Sequence, residues 1–379
     1  MSAPTFHEFF AGGGMAGAGL GGGWKRLFAN DIDPEKAAAF ADNWGAARLH
    51  LGDIATLTPD DLPGQADLAW ASFPCQDLSL AGLGAGLAGA RSGTFFAFWR
   101  LIAGLAGEGR APPIVVMENV CGALTSHSGR DFVAICAAFA GAGYRLGALV
   151  IDAALFRPQS RPRLFLIGVR GAIDPALVAA GPEAPFHPPA LQRAIAALAP
   201  EVGAPLIWWR LPAPATRNIR LVDLLDNRPL PWRTKEETRR LIDLMSPVHR
   251  AKLAAAAKSG QRRVGTVCRR MRPGPDGATQ RAEVRFDGLA ACLRTPGGGS
   301  SRQILLEVEG PDVRSRLLSA REMARLMGLA DDYQLPDNHN AASRLTGDGV
   351  VVDVVRHLAA HLLEPLVGAQ TRPSPLSRA

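Results

Sequence analysis

The sequence predicts an α/β protein: a doubly wound parallel sheet with a smaller, mainly irregular or β second lobe. Three observations carry this. Residues 1–170 alternate short apolar runs with Ala-rich helical stretches at 35–43 and 131–140. The first apolar run, 6–10, enters a turn in which Gly12, Gly14 and Gly17 keep the G-x-G-x-x-G spacing. Beyond residue 170 the pattern changes, first to proline and alanine and then to an arginine-rich segment.

The glycine turn leads to Asp31, nineteen residues after Gly12 and just past a second apolar run at 27–29. Glycines let a backbone approach a ligand closely, and an acid ending the second strand accepts hydrogen bonds from ribose hydroxyls. These residues suit NAD and S-adenosylmethionine alike. A further apolar run at 66–71 stops before Pro74-Cys75-Gln76-Asp77. Proline cannot continue a ladder, so the thiol is expected at the sheet's carboxyl edge, where α/β proteins keep their chemistry. The β-branched run 112–120 reads as a buried strand with Glu118 and Asn119 at its exit. There Glu118 suits either a helix cap or arginine partner, or a reacting group. Gln159, Arg161 and Arg163 alternate, so an extended chain would place them on one face, as a solvated edge or as a grip on a base and its phosphate.

With 379 residues, 47% of them hydrophobic, the chain is long enough for one large core and a smaller lobe. Five cysteines without a C-x-x-C pair argue against a disulfide framework or zinc knuckle and for a reducing compartment. Cys121, Cys136, Cys268 and Cys292 are expected to be structural thiols. No apolar run reaches eighteen residues and no signal-peptide pattern opens the chain, so a soluble cytoplasmic protein is expected. His357 and His361 stand four apart without a third ligand, which favours packing over metal binding.

Charge is concentrated. Residues 201–300 hold 19 Lys and Arg against 9 Asp and Glu, leaving 23 and 26 of the chain's 42 and 35 for everything else. A basic segment in an otherwise slightly acidic chain reads as a nucleic-acid surface. The expected divisions are 1–170, 171–337, a returning segment 338–367 and a disordered tail 368–379. The Pro- and Ala-rich stretch 171–214 is expected to open the second lobe. One helix is expected at 236–245, ended by Ser246-Pro247, and an apolar helix within 345–365.

In this order the motifs resemble the DNA (cytosine-5)-methyltransferase family of bacterial or phage type along nearly the whole chain. The matching pieces are Phe10-Ala11-Gly12, Asp31, Gly52-Asp53-Ile54, Pro74-Cys75-Gln76, Arg91 to Phe96, Glu118-Asn119-Val120, Gln159 to Arg163, Ser319 to Gly328 and Gly347 to Val352. Asp348 stands where the family usually has Asn, and Gly13 and Met15 also depart from the commoner first motif. The resemblance implies a Rossmann-like S-adenosylmethionine-dependent sheet with a target-recognition domain. It implies cofactor contacts from Phe10, Gly12, Gly14, Asp31, Ile32, Asp53, Ile54, Pro74, Asp348 and Val350. Cys75 would be the nucleophile, Glu118 would hold the cytosine edge, Arg163 the base oxygen, and Arg161 would position the thiol or a phosphate. Contacts to double-stranded DNA are expected from Gln76, Ser79, Arg91 and Gln159, then from Arg262, Arg263, Arg269, Arg270, Arg272, Arg294, Ser300, Ser301 and Arg302. The glycine-dense stretch 80–93 would close over a flipped base. The expected protein is a monomer at the nucleoid, without metal, with a cognate restriction endonuclease as a possible partner. Two alternatives remain: a tRNA cytosine-5 methyltransferase of the same fold, and an inactive DNA-binding regulator.

Overall fold

The computed structural model describes residues 2–73, 93–203, 206–274, 277–295 and 302–370. They form two compact units. The larger comprises Met1–Ile151, Pro162–Pro214 and Val352–Ala379, the smaller Asp152–Arg161 and Ala215–Val351.

The larger unit begins β1 (Thr5–Phe9), α1 (Met15–Leu20), β2 (Lys25–Asp31), α2 (Pro34–Trp44), β3 (Leu49–Leu51), β4 (Leu68–Ala71) and α3 (Thr94–Gly107). It continues with β5 (Ile114–Val120), α4 (Arg130–Gly141), β6 (Arg145–Asp152), β7 (Pro162–Val169), β8 (Val178–Ala179), α5 (Pro189–Ala196), α6 (Pro200–Gly203) and β9 (Leu206–Trp209). Local chemistry sets several boundaries. Asp33, for example, caps α2 by accepting from the N–H groups of Glu35 and Lys36, with Pro34 at the first helical position.

The strands lie in the order β3-β2-β1-β4-β5-β7-β6-β9-β8. β1 runs parallel to β2 and β4, and β4 to β5, so strand order reverses between β1 and β4. That switch point is where α/β sheets bind ligands. The sheet is mixed rather than wholly parallel, because β7 runs antiparallel to β5. Only residues 153–161 separate β6 from β7, too short a link for a parallel crossover.

Residues 171–214 do not open the second lobe; they stay with the larger unit. β9 pairs parallel with β6, and the buried Trp209 indole donates to the Ile167 carbonyl at 3.2 Å. Gly147 makes room for it, since a Cβ there would stand 2.4 Å from the indole.

After the smaller unit, the chain returns to this one as α11 (Val352–Leu358) and α12 (Glu364–Gln370). A π-helical turn, Ala359–Leu363, joins them. Pro365 accounts for it: the ring has no N–H to give and crowds the carbonyl four residues back. Residues 368–370, expected in a disordered tail, form the end of α12; the tail beyond lies outside the described residues.

The smaller unit contains α7 (Lys235–Asp243), α8 (Pro247–Lys258), β10 (Arg263–Gly274), β11 (Gly277–Arg285), β12 (Ile304–Glu309), β13 (Asp312–Leu317), α9 (Ala320–Leu326) and α10 (His339–Asp348). Its antiparallel sheet has the order β11-β10-β12-β13. Leu241, Met245 and Leu253 pack with Val267, Val284, Ile304 and Leu306 as its core. Two helices stand where one was expected, because Pro247 both stops the first and starts the second. Residues 338–351 also belong to this unit.

Glu307 on β12 is buried and receives the Arg262 guanidinium, Nε at 2.9 Å, and that of Arg314. Burial raises its carboxyl, but hydrogen bonds from the two arginines outweigh this and hold it below the usual range. Arg228 draws Asp226 down to about 2 by a side-chain hydrogen bond. Depressed acids stabilise the fold above their unfolded values and lose that contribution as pH falls through the folded ones. Thermal melts should therefore lose stability progressively below about pH 4.5, and Glu307→Gln should flatten the slope there. An unchanged slope in the variant would exclude Glu307 as its source.

Candidate active site

The site is built along the carboxyl edge of the large sheet. β1 ends at Phe9, and the next residue, Phe10, has a φ of +56° that is left-handed and costly for an aromatic residue. Two glycines of the turn show why the spacing is needed. Gly14, at φ +76°, would place a Cβ 2.4 Å from the Trp44 indole, which donates to the Gly13 carbonyl at 2.9 Å. Gly17 would place one 1.8 Å from Arg26. Arg26 pairs with the buried Glu8 at 2.9 Å, and Glu8 also accepts the Gly17 N–H at 3.1 Å. At Gly12, by contrast, nothing among the described residues stands within 4 Å of the missing Cβ. The backbone there is open to a ligand.

Asp31 does more than wait for a ribose. Its Oδ2 accepts the Gly12 N–H at 2.7 Å and its Oδ1 the Asp33 N–H at 2.8 Å. The carboxylate therefore shapes the glycine turn, and each oxygen keeps a further lone pair for a hydroxyl. Ile32 beside it is 63% exposed, an uncovered apolar surface suited to a flat ring. Asn30 donates to the carbonyls of His50 at 3.1 Å and Gly52 at 2.9 Å. That fixes the start of the segment where Asp53 caps a short turn through the Ala55 N–H and Ile54 is buried.

Glu118 and Asn119 leave β5 at the same edge. Since β7 is antiparallel, its first residues face the last ones of β5: Val120 pairs with Arg163, and Glu118 with Phe165. Arg163 is thus diagonal to Glu118, and its Nε meets the buried Oε1 at 3.2 Å. Asn119 is buried, donates to the Phe73 carbonyl at 3.1 Å and accepts from Val120 N–H at 2.8 Å. It holds the residue immediately before Pro74-Cys75. This tether was missed in the sequence; its only signal was an amide ending an otherwise apolar strand.

Gln159, Arg161 and Arg163 do not share a face. Arg161 is 2% exposed and donates within the smaller unit to the carbonyls of Leu293, Gly347 and Gly349, at 2.9, 2.8 and 2.6 Å. Gln159, expected at DNA, is fully buried there. It donates to the Leu326 carbonyl and accepts the Leu293 N–H, at 3.0 and 3.1 Å. Both act as internal braces. Asp348 and Val350 also lie in the smaller unit, Asp348 bonded to Thr295 and Val350 buried. Arg262, Arg263 and Arg294 are exposed, Arg262 in an ion pair with Glu307. Pro74, Cys75, Gln76, Ser79, Arg91, Ser300, Ser301 and the glycine-dense stretch lie outside the described residues.

Residues 5–364 match the family described as C-5 cytosine-specific DNA methylase. The chain belongs to that family. It is a DNA cytosine-5-methyltransferase, and the family's methyl donor is S-adenosylmethionine. It is 25% identical over 362 residues to the type II methyltransferase M.DsaV of Dactylococcopsis salina, covering 94% of this chain and 85% of that one. It is 32% identical over 171 residues to M.NgoFVII of Neisseria gonorrhoeae, covering 44% of each. Among solved structures, the Dnmt2 methyltransferase of S. pombe matches with a TM-score of 0.60 at 16% identity, covering 96% of this chain and 99% of that one. EhMeth of Entamoeba histolytica matches at 0.61 and 13%, covering 98% and 100%. These last two speak for the fold alone. The open backbone at Gly12, the spare lone pairs of Asp31 and the bare face of Ile32 fit an adenosine-bearing donor.

Proposed function

We propose that this methyltransferase modifies carbon 5 of a flipped cytosine within a specific duplex DNA site, through a covalent bond to Cys75. The observation that carries the reading is the pair of buried Glu118 with half-buried Arg163, on the sheet edge where Asn119 holds Phe73 ahead of Pro74-Cys75.

Carbon 5 of cytosine is a poor nucleophile and must be activated. Addition of the Cys75 thiolate to carbon 6 places electron density on carbon 5. Glu118 holds the N3 and amino edge, supporting a proton at N3 as the thiolate adds. Arg163, which meets Glu118 through its Nε and donates to the Pro162 carbonyl through Nη1 at 2.9 Å, brings positive charge to the base oxygen, whose negative charge grows in the same step. S-adenosylmethionine, when bound, supplies a methyl group made electrophilic by its sulfonium. Carbon 5 takes that methyl, a base removes the carbon 5 proton, and the returning electron pair expels the Cys75 thiolate. Duplex DNA buries these atoms, so the cytosine must leave the stack.

Phe10, Gly12, Gly14, Asp31, Ile32, Asp53 and Ile54, with Pro74, are proposed as the donor's contacts. Asp31→Ala should weaken S-adenosylmethionine binding by about 1–3 kcal/mol through the lost charged acceptor. Part of that loss would come from the glycine turn, which Asp31 also holds. DNA affinity without cofactor should barely move. Calorimetry showing unchanged cofactor affinity would remove Asp31 from the site.

The smaller unit is proposed to choose the DNA site. Arg233 there is lowered by burial and by the neighbouring charges of Arg269 and Arg302, a crowding of guanidiniums that suits a phosphate. A cognate restriction endonuclease, as type II relatives suggest, and a cytoplasmic, nucleoid-associated monomer are part of the same proposal. No described helix is long and apolar enough to cross a membrane. A methyl-transfer assay on duplex DNA and on tRNA tests the reading, followed by sequencing of the methylated cytosines. Transfer to tRNA alone, or none to either, would overturn it.

A further inference from the structure

β10 and β11 pair along their length, from Thr266 opposite Arg285 to Gly274 opposite Gly277. β12 accompanies β10 only over Arg263 to Val267. On the outer side, the last bond to β11 is the Ala282 N–H to the Leu244 carbonyl, at 3.0 Å. Beyond those points the hairpin is a two-stranded ribbon with no third strand beside it among the described residues. Its far half is exposed from Met271 to Pro273 and from Gly277 to Thr279, and Met271 alone is 50% exposed. A bare hairpin is marginal in water, so a projecting one that exposes this apolar side chain needs a role.

The two faces differ. Val267, continued by Arg269 and Met271, pairs with Val284, Ala282 and Gln280; this is the core side of the sheet. The opposite face carries Arg270 and Arg272, with Arg281 directly across from Arg270, and Glu283 across from Cys268. Glu283 reaches both arginines on its face: Oε2 lies 3.5 Å from Arg270 Nε, and Oε1 2.6 Å from Arg272 Nε. The Arg270 atom that meets it is Nε, and the Arg270 side chain is 35% exposed.

We propose that this ribbon enters the major groove with its Arg270 face toward the bases. Arg270 reads a guanine through both terminal nitrogens, and Glu283 is the positioning residue that holds the fork. The major groove admits a two-stranded ribbon, and guanine O6 and N7 are the acceptors that match a guanidinium fork. Residues two apart on a strand advance by about 7 Å, close to two base-pair steps at about 3.4 Å each. Arg272 therefore faces the groove two steps from Arg270. The recognised sequence contains a G·C pair at the Arg270 position.

The inference rests on the proposed function, and the test separates the two. Wild type, Arg270→Ala and Glu283→Ala are each incubated with a duplex library randomised around the modified cytosine, and the methylated sites are sequenced. Wild type should require guanine at one position. Arg270→Ala should relax that position by about 5- to 150-fold, the equivalent of one bidentate contact, and leave the others unchanged. Glu283→Ala should relax the same position partially, while its melting temperature and its affinity for nonspecific DNA stay near wild type. If Arg270→Ala lowers methylation equally on every sequence, the ribbon only anchors phosphate and the inference fails, with the function intact. If wild type methylates no cytosine at all, the function itself fails.

Discussion

Cys75→Ala should reduce methyl transfer to background while DNA and S-adenosylmethionine still bind with near-normal affinity. The thiol contributes an electron pair to carbon 6 and little contact area, so its loss falls on the chemical step. The buried Cys136 cannot substitute. Burial pushes the Cys136 thiol up to about 12, so it does not ionise at neutral pH. Cys292 sits beside Arg161 in the smaller unit, and its sulfur takes a 3.2 Å contact from that guanidinium. Wild type should also form an adduct with DNA carrying 5-fluorocytosine that survives denaturation, since fluorine cannot leave as the proton does. Cys75→Ala should form none. Substantial turnover by the variant, or no adduct with wild type, would overturn covalent catalysis.

The parts of this protein that were legible in the sequence are those fixed by local chemistry. The G-x-G-x-x-G spacing placed the turn after β1, because Gly14 and Gly17 each stand where a Cβ would collide with a neighbour. The Ala-rich stretch 35–43 marked α2, and the run to Val120 marked β5. What the sequence hid depends on distant partners. Arg161 and Arg163 are two residues apart in one motif, yet one is spent on carbonyls 132 to 188 residues away and the other meets Glu118. Alternation along an extended chain could not foresee that, because the strand begins only at Pro162. The ion pair of Arg262 with Glu307, 45 residues on, is likewise a property of the fold alone. Asp31 was legible as an acid at the right distance, but its grip on Gly12 is a property of the closed turn. The apolar run of β9 followed a proline-rich stretch that reads as a change of domain, and only pairing with β6 shows otherwise.

Glu118→Gln should lower kcat by about 10²- to 10⁴-fold, the span of a lost proton-handling group, with a much smaller effect on DNA binding. Glutamine keeps the shape and one carbonyl oxygen, so the Arg163 Nε–H still has an acceptor where Oε1 now stands at 3.2 Å. The amide cannot stabilise a proton at cytosine N3, and its NH2 confronts that nitrogen differently from a carboxylate. The loss should therefore appear in the step that adds the thiolate. Adduct formation with 5-fluorocytosine DNA should slow in parallel with turnover. Arg163→Lys tests the other half of the pair: a lysine keeps the charge but lacks the planar fork that can hold Glu118 and a base oxygen together. Because the two side chains act on one ring, the double variant should be far less impaired than the product of the single losses implies. Multiplicative losses would mean that Glu118 and Arg163 act independently. Wild-type turnover in Glu118→Gln, with Cys75→Ala inactive, would show that another residue holds the cytosine edge.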